Sequence, residues 1–149
     1  MDLHAVLREL GRHADLLELV RRGSESCPEM LSNLNNYAWA LATLPEDDLR
    51  DGARAAEVIR SAIARAGDAD PDPAYLDTLA AALAEQGELE EAIRVGSEAL
   101  ERQQSAEGSE EVLRVLRDHL DAYRAGRAVR DPDVADASKA GISTGSTAP

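Results

Sequence analysis

Three segments of this chain, LVRRGSESCP, AAEVIRSAIARAG and EAIRVGSEALERQ, overlay with small or apolar residues in register. Leu16, Ala55 and Ala92 coincide, as do Gly23, Ala62 and Ala99. The segments before them overlay too, as Leu3-His4-Leu7, Tyr37-Ala38-Leu41 and Leu79-Ala80-Leu83, with Gly11 and Gly87 at matching turns. A two-segment unit that recurs along the chain constrains the fold more tightly than any composition figure. A pair of short helices cannot bury its own apolar stripe. Such units must therefore stack, and stacking builds one continuous core.

The periodicity inside each segment is helical. Leu3, Val6, Leu7 and Leu10 share a stripe that Gly11 ends, and Leu16, Leu17, Leu19 and Val20 form a second, closed by Gly23 and Pro28. Further helices are predicted at about 30–44, 53–66, 74–86, 88–103 and 109–125. Pro45 with EDDLRDG and then GDADPDP read as turns between them. Ser109 followed by Glu110 and Glu111 is a sound helix start, because a hydroxyl caps free N–H groups and acids suit the positive end. Composition agrees: 27 alanines and 19 leucines against 3% aromatics and no Phe favour packed helices over a β-sandwich. After Arg130 no periodicity survives. The segment 128–149, rich in Ser, Thr, Ala, Gly and Pro, is expected to be disordered.

The repeating pair resembles the tetratricopeptide repeat, a helix-turn-helix unit of roughly 34 residues. PAYLDTLAAALAEQGELEEAIRVGSEAL is the clearest match, with Gly96 where the family has a large aromatic. The run NNYAWALATLPEDDLRDGARAAEVI, then YLDTLAAALAEQGELEEAI, then YRAGR is similar to a bacterial C-terminal block of such repeats. The resemblance implies an all-α solenoid over 1–127, with repeats at about 1–28, 31–67 and 73–104 and a capping helix at about 109–125. The second repeat carries about five extra residues around Glu46 to Arg50. The resemblance further implies a concave groove lined by the first helix of each pair, and a non-catalytic role in binding a protein segment there.

Net charge sharpens the choice of partner. At −13 the chain would be repelled by nucleic acid and by anionic membranes, and suits an amphipathic or basic protein segment. The single cysteine, Cys27, cannot form an internal disulfide, so a reducing cytoplasm is expected. The start MDLHAVLREL has neither the basic nor the apolar region of a secretory leader.

Candidate chemical sites are weak. Asp68, Asp70 and Asp72 open like a calcium loop, but Pro73 stands where the loop needs Gly and Leu79 where it needs Glu, so an acidic solvated turn is the simpler reading. Cys27, His4, His13 and His119 have no zinc spacing, GSESC is not a nucleophile elbow, and STGST is not a phosphate loop. No cofactor, metal or catalytic constellation is expected.

The groove candidates are Asn35, Asn36, Trp39, Thr43, Asp77, Thr78 and Glu85, a set without Lys or Arg. Trp39 projects away from the Leu34-Ala38-Leu41 stripe, as an anchor for a partner or, alternatively, packed under the acidic turn or the next pair. Asn36 resembles the asparagine of repeats that grip a terminal carboxylate, but Ala74 and Thr78 stand where those repeats carry cations. Leu3, Val6, Leu7 and Leu10 would lie partly uncovered at the first pair, where a second copy or a partner domain would pack. The other functional reading is a regulatory or targeting subunit docked on an enzyme.

Overall fold

A computed structural model describes residues 2–67 and 70–131. Those residues are all-α, with seven helices: α1 Leu3–Glu9, α2 His13–Ser26, α3 Leu31–Thr43, α4 Gly52–Ala66, α5 Pro73–Glu85, α6 Leu89–Ser105 and α7 Glu110–Arg124. Each helix packs on the next in sequence, and α3 also packs directly on α5. The extra residues between α3 and α4 form a single 3₁₀ turn, Asp47–Leu49. Among the described residues no helix is long and apolar enough to cross a membrane.

Local chemistry sets the helix ends. Asp2, Asp51, Asp72 and Ser109 each accept a backbone N–H of the helix that follows, and Pro73 takes the first turn of α5, where its missing N–H costs nothing. Three of the odd-numbered helices end alike. Gly11, Gly87 and Gly126 have positive φ, and the N–H of the following residue reaches back to Leu7, Leu83 and Ala122 respectively. This left-handed closure is open to glycine without a Cβ penalty. After Gly11 and Gly87 the chain enters the next helix; after Gly126 it does not.

The core runs through the stack in three linked clusters. Leu7, Leu16, Val20, Ala40 and Leu44 join the first three helices. Ala38, Leu41, Ala55, Ile59 and Ala62 join α3 to α4, with Ala81 and Ala82 of α5. Leu76, Leu83, Val95, Leu116, Leu120 and Tyr123 join α5, α6 and α7. Helix α5 touches α3, α4 and α6, which explains its run of small residues: Ala80, Ala81, Ala82 and Ala84 are all buried, and so is Leu83 among them. The position of Gly96 is filled from α7, with Leu120 Cδ2 3.1 Å from where a Cβ would stand.

One expectation changes. Residues 128–131 are not a loose tail: Val129 is buried within the α5–α7 cluster and Asp131 is 1% exposed. Residue 132 onward lies outside the described residues. In the N-terminal stripe Leu7 is buried, whereas Leu3 and Leu10 stand exposed.

Candidate groove and its charged seats

Side chains from α1, α3, α5 and α7 converge on one face. Asp77 on α5 accepts from His119 on α7, with Nδ1 2.9 Å from Oδ1. The His119 ring lies against Trp39 of α3, centroids 5.6 Å apart and planes inclined by 35°. Tyr123, one turn beyond His119, is buried with its hydroxyl oxygen unpartnered among the described residues. Burial first, and the charge of Asp77 second, push that phenol well above its ordinary pKa.

Glu85, at the end of α5, is a two-way anchor. It accepts Arg50 Nε at 2.8 Å and Arg130 at 2.7 Å. Arg50 also donates to the Leu44 and Pro45 carbonyls at 2.8 and 2.9 Å and pairs with Asp47, which fixes the turn between α3 and α4. Burial opposes the Arg50 charge, but bonds to Glu85 and Asp47 outweigh it and hold the guanidinium pKa above its ordinary value.

The chain itself crosses this face. Leaving α7 through the Gly126 turn, it places Arg130 on Glu85 and then Asp131 between α1 and α3. Asp131 Oδ2 accepts Arg8 Nε at 2.9 Å, and Oδ1 accepts the Trp39 indole N–H at 3.2 Å. A buried carboxylate needs such partners, because an unpaired buried charge is costly. Beside this seat a cleft of about 190 Å³ is lined by His4, Arg8, Leu16, Val20, Asn36 and Trp39, among others.

Of the expected groove residues, Trp39, Asp77 and Glu85 meet here. Trp39 packs as the second reading weighed from sequence has it, half-buried against the clusters of α3–α5 and α5–α7, and its N–H donates to Asp131 of the crossing segment. Asn36 is exposed at the cleft, and Asn35 Oδ1 is buried with no partner among the described residues. Thr43 and Thr78 are corrections. They are 0% and 2% exposed, and their hydroxyls donate to the Trp39 and Ala74 carbonyls one turn back, so neither faces the groove.

The candidate set held no Lys or Arg, and the structure adds three beside it: Arg8 meets Asp131, and Arg50 and Arg130 meet Glu85. Arg8 lies off the apolar stripe of α1, and Arg50 and Arg130 lie outside the α-helices, so periodicity carried no signal for them. Their place comes from how distant elements meet.

The remaining candidates serve local structure. Asp72 caps α5 through the Ala74 N–H at 2.8 Å, Asp70 pairs with Arg102 at 2.6 Å, and Asp68 lies outside the described residues. His13 bonds Glu46 at 2.7 Å, and Cys27 ends α2. Among the described residues no three metal-ligating side chains come together. No family model, curated protein or solved structure matches this chain.

Proposed function

We propose that the chain is a tetratricopeptide-type solenoid of three helix pairs and a closing helix, which binds an extended segment of a protein partner along the face shared by α1, α3, α5 and α7. On this reading it is a non-catalytic interaction module of the cytoplasm. Sequential packing of neighbours, direct contact of α3 with α5, and the shared glycine closures of α1, α5 and α7 support the architecture. One observation carries the binding role: the face already accommodates a non-helical stretch of polypeptide, with an apolar residue buried and an arginine on Glu85. A surface that seats Val129 and Arg130 suits an amphipathic or basic segment.

Peptide display against the immobilised full chain tests this. Selected peptides should share a basic residue flanked by apolar ones. Glu85→Gln should weaken them tenfold or more, and Trp39→Ala by more than about 1 kcal/mol, with helical circular dichroism retained. Selected peptides indifferent to both substitutions would place binding elsewhere.

A further inference from the structure

The crossing segment has three seats in a row. Val129 enters the apolar cluster of α5, α6 and α7. Arg130 meets Glu85. Asp131, 1% exposed, sits between Arg8 and Trp39. We propose that residues 127–131 are an internal occupant of the binding face, and that a partner segment displaces them by presenting the same order of apolar residue, arginine and carboxylate. The proposal rests on the groove-binding reading above and goes beyond it in two respects: it adds a carboxylate to the recognised pattern, and it makes the free chain self-occupied.

The physical case is one of balance. Beyond Arg127, whose N–H closes the α7 turn onto the Ala122 carbonyl at 2.8 Å, the side chains just named hold the segment, with Ala128 packed against the same apolar cluster. Three side-chain seats can be exchanged one for one without opening any helix. The Arg8–Trp39 seat is also the element that turns a general preference for basic segments into a specific pattern. Asp131 supplies a charge opposite to that of its neighbour Arg130, and each meets its complement on a different helix. Tethering gives the internal segment a high effective concentration, so a free peptide of equal intrinsic affinity competes poorly until the tethered copy is weakened.

Trp39 is the sole tryptophan and reports on the seat directly. The test uses the full-length chain, wild type and Asp131→Ala, and an end-blocked peptide Arg-Ala-Val-Arg-Asp copied from residues 127–131. Asp131→Ala alone should change Trp39 emission and raise its quenching by acrylamide. It should also bind the peptide about tenfold more tightly than wild type does. Arg-Ala-Val-Arg-Ala should lose that gain.

Should Asp131→Ala lose helical signal, Asp131→Asn keeps the side-chain size and supplies the same comparison. Emission and quenching identical in both chains, or equal peptide affinity for both, would overturn the proposal. Display-selected peptides that bind both chains equally through Trp39 and Glu85 would do the same while leaving the groove-binding reading standing.

Discussion

Gly52 opens α4 without a side chain because α5 passes directly across it. A Cβ there would stand 3.0 Å from Cβ and Cγ of Glu85 and 3.1 Å from the Ala82 carbonyl oxygen. In an open helix, Gly→Ala stabilises by up to about 1 kcal/mol. Here crowding should win, and Gly52→Ala is expected to cost about 1–3 kcal/mol in urea unfolding. A stabilised variant would mean the α4–α5 crossing is looser than described.

Gly23, aligned from sequence with Ala62 and Ala99 as a close-approach position, is less critical. Its Cβ would meet nothing nearer than Asn33 at 3.9 Å. Periodicity grouped Trp39, Asp77 and Glu85, which do converge on one face, but could not tell them from the buried Thr43 and Thr78. Helical spacing fixes the direction of a side chain, whereas burial depends on how far the neighbouring helix overlaps it.

At the level of elements, the odd-numbered helices were legible because their punctuation is chemical. Gly11 and Gly87 were recognised as matching turns, and Gly126 closes α7 by the same bonds. The 3₁₀ turn at Asp47–Leu49 falls where the extra residues were counted. The segment after α7 was not legible. Val129 sits in a stretch without helical periodicity, and composition averages it away, yet its burial and two ion pairs hold 128–131 in place.

Two truncations separate its contribution. A chain lacking 128–149 should be less stable than one lacking 132–149 by at least about 1 kcal/mol, from Val129 burial alone. Equal denaturant midpoints would show that the segment adds nothing to the fold.

At the scale of the whole molecule, the described residues form an all-α array in which each helix packs on the next. Acids on this face meet partners there: Asp77 bonds His119, and Glu85 pairs with Arg50 and Arg130. The face is consequently a mosaic of paired polar and charged groups around one indole, and on the proposed reading a segment bound there must replace the pairs it breaks. The Trp39 indole N–H gives one resonance in a nitrogen–proton correlation spectrum, because the chain has no second tryptophan. Adding a display-selected peptide to the full-length chain should shift that resonance, together with amides along α3, α5 and α7. A peptide that binds while the Trp39 signal stays fixed, with shifts confined to α2, α4 and α6, would contradict the account.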